Sequence, residues 1–429
     1  MNAGFDVVVV GAGPGGMAAA TVAAEAGCRV CVLDDNPAPG GQIWRGFRPE
    51  TALKYPNGRE FIQWAERFKR SGCAVELGWQ AIDRPAPGVL RLERGGELHD
   101  VGFKKLILAT GARERFLQFP GWTLPGVMGA GGLQALVKTG LDARGKRVVL
   151  AGSGPLLLAV GAALASAGAR VLGIYEQAPL RRLVGFGFSL LGQPGKMIEG
   201  LRYRLKTRRV PYRAGCWVVK AEGRGRVERV TLTDGRTEWS VDCDWLGCGF
   251  HLVPNLELPR LLGCRIDEGY VAVDRLLQSS VAGVACAGEL TGIGGLEKAL
   301  VEGQIAGWAA AGREAEASRL APQRGRMQRF VERLDQVFAL RPELRTLAKA
   351  DTLVCRCEDV AHSALVGCKS WREAKLHTRC GMGACQGRVC GAATEFLFGW
   401  ENTGARPPIF PAAVSTMAAE AEMQSRVGG

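Results

Sequence analysis

The residues best suited to chemistry in this sequence are a group of clustered cysteines. The chain has 429 residues and 14 cysteines, and six of the cysteines fall within the 36 residues 355–390. Without export, clustered thiols act as metal ligands or redox groups more often than as disulfides. The amino terminus, MNAGFDVVVVGAG, has no basic region and runs directly into an apolar strand. We therefore expect no secretory signal and a cytoplasmic protein.

The spacing of these cysteines favours an iron–sulfur cluster over a zinc ion. Cys355 and Cys357 form a C-x-C pair, and Cys385 and Cys390 form a C-x4-C pair. Cys380 is a fifth candidate ligand. Four thiolates can hold either Zn²⁺ or a [2Fe–2S] cluster, but the C-x-C spacing is tight for zinc, and two irons share four thiolates in pairs. A structural zinc ion and a remnant that binds nothing stay open as alternatives.

A glycine-rich turn near the amino terminus indicates a nucleotide site. Residues 5–10 are a valine-rich run, and GAGPGG (11–16) leads into an alanine-rich helix and a second strand that ends at Asp34. Glycines in this pattern permit a tight turn and close approach to a pyrophosphate, and the helix N-terminus attracts phosphates. An acid after the second strand can accept a hydrogen bond from a ribose hydroxyl. The candidate residues of this dinucleotide site are Gly11, Gly13, Pro14, Gly15, Gly16, Asp34 and Asp35.

Residues 147–154 begin a second unit of the same kind. Gly152 and Gly154 occupy its first two glycine positions, and Glu176 ends its second strand. Leu157 stands at the third glycine position, where a side chain would crowd the helix against the strand or push it away. Two interpretations stay open: an NAD-type site in which Glu176 favours NADH over NADPH, or a scaffold that binds nothing or another adenylate.

Three later motifs, taken together with the two glycine-rich turns, give the chain a resemblance to a known superfamily. They are GGQ (40–42), ATG (109–111) and AGE (287–289). In this order the motifs resemble the two-dinucleotide-domain flavoprotein disulfide reductases, which implies an α/β fold of two nested Rossmann-like domains with FAD in the first. The late motif of that superfamily usually reads Gly-Asp, and its acid binds the flavin ribityl chain. The resemblance therefore adds the FAD candidates Gly41, Gln42, Thr110, Gly111, Gly288 and Glu289.

One departure from that superfamily affects the predicted activity. The disulfide reductases carry a redox-active cysteine pair near the flavin, whereas this chain has no cysteine between Cys73 and Cys216. A disulfide reductase is therefore not expected.

Three segments together are more specific than any one motif. PGGQIWRG, LAGSGPLLLAV and CGMGACQGRVC occur in one chain that resembles the α subunit of heteromeric FAD-dependent amino-acid dehydrogenases, of the opine oxidase, D-hydroxyproline dehydrogenase and hydrogen cyanide synthase type. The cysteine-rich segment resembles the bacterioferritin-associated-ferredoxin-like (BFD-like) [2Fe–2S] domain. That resemblance implies Cys355, Cys357, Cys385 and Cys390 as ligands, with Cys380 as a substitute. It also implies a flavoprotein β subunit that oxidises the C–N bond, and such complexes often add a small ferredoxin-like γ subunit.

These observations predict a domain order and a function. We expect an FAD domain (1–115 and 265–315), a second Rossmann-like domain (116–264), a helical connector (316–350), the BFD-like domain (351–400) and an extended tail (401–429). A chain with a flavin and a [2Fe–2S] cluster converts two-electron into one-electron transfer. The predicted function is an electron-transfer subunit of an amino-acid, imino-acid or opine dehydrogenase. The alternatives are a self-sufficient NADH-dependent flavin or ferredoxin reductase and a non-enzymatic scaffold.

The positive charge of the chain leaves its partner open. The net charge is +13, and the densest basic run lies in residues 202–213. Such a run can be a solvated helix face, a patch for a partner or membrane surface, or a nucleic-acid site. Because no nucleic-acid-binding signature accompanies it, we expect no nucleic-acid partner. If a quinone accepts the electrons, the run is the expected contact with the inner face of the inner membrane.

Overall fold

The computed structural model describes residues 4–53, 55, 57–190, 194–401 and 404–418. The chain divides into two compact units. Unit 1 takes its residues from 1–113, 254–331 and 403–429, and unit 2 takes its residues from 114–253 and 332–402.

Strands and helices alternate in both units. The strands are β1 (Phe5–Val10), β2 (Val30–Asp34), β3 (Ala74–Leu77), β4 (Gln80–Ala86), β5 (Val89–Arg94), β6 (Glu97–Leu108), β7 (Ala112–Glu114), β8 (Val127–Gly129), β9 (Arg147–Ser153), β10 (Arg170–Glu176), β11 (Tyr212–Ala214), β12 (Trp217–Glu222), β13 (Arg229–Thr233), β14 (Glu238–Asp242), β15 (Trp245–Phe250), β16 (Leu252–Pro254), β17 (Ile266–Asp267), β18 (Tyr270–Val271), β19 (Val284–Cys286), β20 (Leu353–Cys355) and β21 (Val360–Ala361). The helices are α1 (Pro14–Glu25), α2 (Pro49–Ala52), α3 (Gly58–Arg70), α4 (Ala130–Lys138), α5 (Leu156–Ser166), α6 (Leu180–Ser189), α7 (Pro194–Lys206), α8 (Glu257–Leu262), α9 (Gly295–Ala310), α10 (Glu314–Arg319), α11 (Ala321–Val337), α12 (Trp371–Thr378) and α13 (Cys390–Phe398).

Unit 1 is built on a seven-stranded sheet with the order β3-β2-β1-β6-β5-β4, to which β19 adds beside β6. The pairs β1–β2, β1–β6, β2–β3 and β6–β19 are parallel, and the hairpin strands β4 and β5 continue the sheet antiparallel. The valines 7–10 of β1 are buried, as a central parallel strand requires. Helix α1 packs on α9, and Gly303 permits their close contact because a Cβ there would overlap the Gly15 carbonyl oxygen.

Unit 2 contains a five-stranded parallel sheet with the order β11-β10-β9-β15-β8 and a three-stranded antiparallel sheet, β12-β13-β14. Leu157 is 1% exposed and packs in the core with Leu150 and Val160. The close helix–strand contact expected of the third glycine occurs one turn later, at Gly161, where a Cβ would lie 2.8 Å from Ile174 Cδ1. The helix therefore stays against its strand despite the leucine.

The unit boundaries differ from the predicted domains at three places. Residues 254–264, predicted in the second Rossmann-like domain, lie in unit 1, because Leu258 and Leu262 of α8 pack into the core on the sheet of that unit. The predicted connector is helical but is divided between the units at residue 331. In the predicted tail, Ile409 is buried in unit 1 and its amide donates to the Ile82 carbonyl at 2.9 Å. Residues 402, 403 and 419–429 of that tail lie outside the described residues.

Within the part of the chain that the structure describes, no helix has the length and apolar character needed to cross a membrane.

Candidate functional site

The turn between β1 and α1 forms a cradle with room only for glycine. Gly11 has φ +105°, and a Cβ at this position would overlap the Ala109 carbonyl oxygen. A Cβ at Gly16 would overlap the Gly11 carbonyl oxygen, and one at Gly41 would lie 2.9 Å from Gly13 Cα. Gly13 caps α1, Pro14 is its first residue, and the first turn carries no acid. The cradle therefore presents unshielded backbone N–H groups, which is the arrangement that binds a pyrophosphate.

The two acids after β2 have different surroundings. Asp34 is 7% exposed, and its carboxylate accepts hydrogen bonds from the Ala12 amide at 2.5 Å and the Asn36 amide at 2.7 Å. Asp34 therefore fixes the glycine turn. Asp35 is exposed, with one carboxylate oxygen bonded to the Asn36 side chain at 2.8 Å. Asp35 is the carboxylate with free acceptor positions for a ribose hydroxyl.

The ATG motif is held by a residue that the sequence did not single out. The Thr110 hydroxyl donates to the Asn255 carbonyl at 3.1 Å, and the Asn255 side-chain amide donates to the Thr110 carbonyl at 2.8 Å. The Asn255 backbone amide also donates to the Gly111 carbonyl at 3.0 Å. Because 145 residues separate Thr110 from Asn255, no local sequence signal connects them.

The side chains of the GGQ and AGE motifs differ in whether they are already bound within the protein. Gln42 is exposed, whereas Trp44 is buried against Phe61 at 5.7 Å between ring centroids and belongs to the core. The Glu289 carboxylate accepts from the amides of Gly294 and Gly295 at 2.9 and 3.0 Å, and burial raises its pKa. Glu289 therefore holds the start of α9, and a contact with the ribityl chain stays a prediction.

A buried ion pair fixes the turn at Gly288. Lys298 is 1% exposed, and its ammonium donates to Glu302 at 2.8 Å, to the Thr291 hydroxyl at 2.7 Å and to the Gly288 carbonyl at 2.8 Å. Glu302 also accepts from the Gly288 amide at 3.0 Å and from Arg324 at 2.9 Å. Burial raises the pKa of Glu302, but the charges of Lys298 and Arg324 outweigh burial and lower it. The charged carboxylate of Glu302 is therefore favoured.

In unit 2 a buried acid holds the glycine turn after β9, as Asp34 holds the glycine turn after β1 in unit 1. Glu176 is fully buried, and its carboxylate accepts from the amides of Gly154 and Ala178 at 2.7 and 2.8 Å. Burial raises its pKa to about 7. Gly152 has φ +148°, and a Cβ there would overlap the Gly249 carbonyl oxygen. Glu176 is therefore inaccessible to a ribose, and its predicted preference between NADH and NADPH has no structural basis.

A segment of unit 2 itself covers this second turn. The Ser153 hydroxyl donates to the Phe338 carbonyl at 2.9 Å, and the Gln177 side-chain amide donates to the Phe338 and Ala339 carbonyls at 3.4 and 3.3 Å. The Arg341 amide donates back to the Gln177 side-chain oxygen at 3.1 Å. Ser153 ends β9 and Gln177 follows β10, at the carboxyl ends of the strands, where this fold binds dinucleotides. Residues 338–341, hereafter the plug, are hydrogen-bonded to both side chains there.

The clustered cysteines meet in unit 2 as a triad and a pair. The thiols of Cys355, Cys380 and Cys390 are buried and lie within 4.8 Å of one another. Cys357 is exposed and Cys385 is half-buried, and the two thiols are neighbours. Cys355 ends β20, and Cys390 begins α13. Two of the four predicted ligands, Cys355 and Cys390, therefore lie together with Cys380, whereas Cys357 and Cys385 lie outside that group of three.

The chemistry of this group suits a metal centre. The Gly381 amide donates to the Cys355 sulfur at 3.5 Å, as expected of the intervening glycines. The neighbouring Cys380 and Cys390 thiols lower the pKa of Cys355, which favours the thiolate form that binds metal. A donor set of four or five sulfurs fits iron or zinc.

Comparison with known proteins places the chain in a family. Residues 5–315 match the family described as pyridine nucleotide-disulphide oxidoreductase. The chain is 35% identical to the HcnB component of hydrogen cyanide synthase from Pseudomonas aeruginosa, over 94% of this chain and 96% of that protein. It is 34% identical to the A subunit of opine oxidase from Rhizobium meliloti, over 96% of this chain and 98% of that protein. These matches support the predicted resemblance to the opine oxidase and hydrogen cyanide synthase subunits.

A solved structure supports the fold. The L-proline dehydrogenase from P. horikoshii aligns with a TM-score of 0.66 at 19% identity and covers 97% of this chain and 79% of that chain. It supports an α/β fold of the disulfide-reductase type, and the family match supports a flavoprotein with FAD as a cofactor. The family match ends at residue 315, before the cysteine-rich segment.

Proposed function

The chain belongs to the pyridine nucleotide-disulphide oxidoreductase family, and we propose that this protein is the FAD- and [2Fe–2S]-carrying electron-transfer subunit of a multi-subunit dehydrogenase. Its relatives are named as subunits of larger enzymes, which supports heteromeric assembly. The partner is a flavoprotein β subunit that oxidises the CH–NH bond of an amino acid, imino acid or opine, and a small ferredoxin-like γ subunit completes the complex. Hydroxyproline is one substrate of this class.

The observation that carries the proposal is that one chain contains both a dinucleotide cradle and a thiolate centre. The cradle at Gly11, Gly13 and Gly41 fits the pyrophosphate of FAD, with Asp35 free for its ribose. The thiols suit a [2Fe–2S] cluster, for which the family resemblance assigns Cys355, Cys357, Cys385 and Cys390 as ligands, and Cys380 lies within 4.8 Å of Cys355 and Cys390 as a substitute. When bound, a flavin exchanges electron pairs and a [2Fe–2S] cluster exchanges single electrons.

The plug disfavours a self-sufficient NADH-dependent reductase. Such an enzyme needs an open nicotinamide-nucleotide site in its second Rossmann-like domain. Here Ser153 and Gln177 already use their polar atoms to bind residues 338–341. Electrons therefore enter from a protein partner.

The compartment proposed for this protein is the cytoplasm. All fourteen cysteines are free thiols. Free thiols in this number suit a reducing compartment.

The test is an absorption spectrum of protein purified without oxygen, recorded before and after dithionite, with iron and zinc counted on the same sample. We expect flavin bands and a broad red shoulder that both bleach, with about two irons per chain. NADH alone should leave the flavin oxidised. A flavin spectrum with about one zinc and no iron would reject the electron-relay function, and rapid bleaching by NADH would establish the reductase instead.

A further inference from the structure

Two consecutive helices of unit 2 expose an apolar stripe. Along α6, Leu180, Val184 and Phe188 follow one another at intervals of four residues and are 65%, 50% and 70% exposed. Side chains four apart share one face of a helix. No residue of α6 is buried.

Helix α7 repeats this pattern. Its exposed large apolar residues fall on one face at helical spacing, and they are Met197, Ile198, Leu201 and Leu205. Leu201 and Leu205 are 58% and 59% exposed. Single exposed leucines are ordinary, but seven large apolar side chains on two consecutive helices mark an interaction surface.

The charged residues around both apolar stripes are almost all basic. Residues 180–209 contain eight Lys and Arg and a single acid, Glu199. Lys196 and Tyr203 bind that glutamate at 3.3 and 3.2 Å, so it opposes little of the positive field. The exposed basic residues are Arg181, Arg182, Arg202, Arg204, Lys206, Arg208 and Arg209. On α7, Arg202 and Lys206 lie beside the stripe formed by Leu201 and Leu205.

We propose that α6 and α7 dock this protein on an anionic lipid bilayer. A matching partner must combine dense negative charge with an apolar layer directly beneath it, and the headgroup and acyl regions of such a bilayer supply both. Amphipathic helices that lie in the membrane interface have this composition, with Leu and Phe on one face and Lys and Arg around it. The docking needs no spanning helix, and it does not depend on which cofactors the protein holds.

The experiment is flotation of the full-length protein with vesicles of phosphatidylcholine alone or mixed with phosphatidylglycerol, at low and high salt. We expect binding to the mixed vesicles only, weakened by salt. The variant R202Q/K206Q should lower vesicle affinity about thirtyfold, because each basic residue near such a surface contributes about fivefold. The variant L201S/L205S should lower it about tenfold or more through lost apolar burial.

Matched variants separate this surface from general effects on the protein. R224Q/R236Q removes the same charge from exposed positions of unit 2, and Leu136→Ser removes an exposed leucine from α4. Both should float like wild type, and all variants should keep the wild-type melting midpoint. The proposal is overturned if the wild-type chain does not float with anionic vesicles, or if the stripe variants float as well as it does. It is equally overturned if the stripe variants abolish assembly with a protein partner while vesicle binding is negligible.

Discussion

Replacing Lys298 by methionine tests whether the buried ion pair stabilises unit 1. The ammonium and the Glu302 carboxylate are 1% and 0% exposed, and the change removes three hydrogen bonds of 2.7–2.8 Å. Removing one partner of a buried pair costs about 3–5 kcal/mol because the other charge is left uncompensated. Arg324 still binds Glu302, so we expect the lower end, about 3 kcal/mol. A domain of this size should then melt about 6–12 °C lower.

Thermal unfolding followed by circular dichroism measures this loss, and two variants serve as controls. The double variant K298M/E302Q should recover part of the loss, because the buried carboxylate is no longer charged. Arg144→Met breaks an ion pair with Asp142 that is 80% and 61% exposed, and it should leave the melting midpoint unchanged. If K298M melts together with the wild type, the reasoning that this pair stabilises the turn at Gly288 is refuted.

Three further predictions concern the clustered thiols, the buried Glu176 and the glycine cradle. Replacing Cys385 by serine should remove most of the iron and the red absorption shoulder, whereas Cys380→Ser should retain both; equal loss in the two variants would make Cys380 a ligand. Burial in the folded state raises the pKa of Glu176 from 4.5 to about 7. Between these pH values the folded protein holds a proton on Glu176 that the unfolded chain releases. The free energy of unfolding should therefore fall by about 3 kcal/mol as the pH rises from 4.5 to about 7. Urea unfolding at several pH values measures this slope, and Glu176→Gln should flatten it. Gly41→Ala should lower the FAD content of the purified protein, because the added Cβ would contact Gly13. The control Gly27→Ala adds a Cβ at φ +94° with nothing within 4 Å, and this variant should keep its FAD. Equal flavin content in the two variants would show that the cradle is not the FAD site.

The strands and the glycine turns could be predicted because their signals are local. Val7–Val10 read as a buried parallel strand, and Gly11 sits where only a glycine fits. The contact between Asn255 and Thr110 could not be predicted, since tertiary folding alone brings these residues together. The same is true of the function of Glu176, because an acid at the end of this strand is equally compatible with binding a ribose and with fixing the glycine turn, and only its burial in the folded chain distinguishes the two.

The plug is a ligand of unit 2 that belongs to the same polypeptide. A tethered segment has an effective concentration of about millimolar or higher at its own site, and this value does not fall when the protein is diluted. A dinucleotide from solution must therefore outcompete Phe338–Arg341 at millimolar strength, whatever its intrinsic affinity for the Rossmann turn. In the electron-transfer function proposed above, the plug would insulate the redox state of the flavin from the cellular ratio of NADH to NAD⁺, and the direction of electron flow would depend on the reduction potentials of the cofactors and partners.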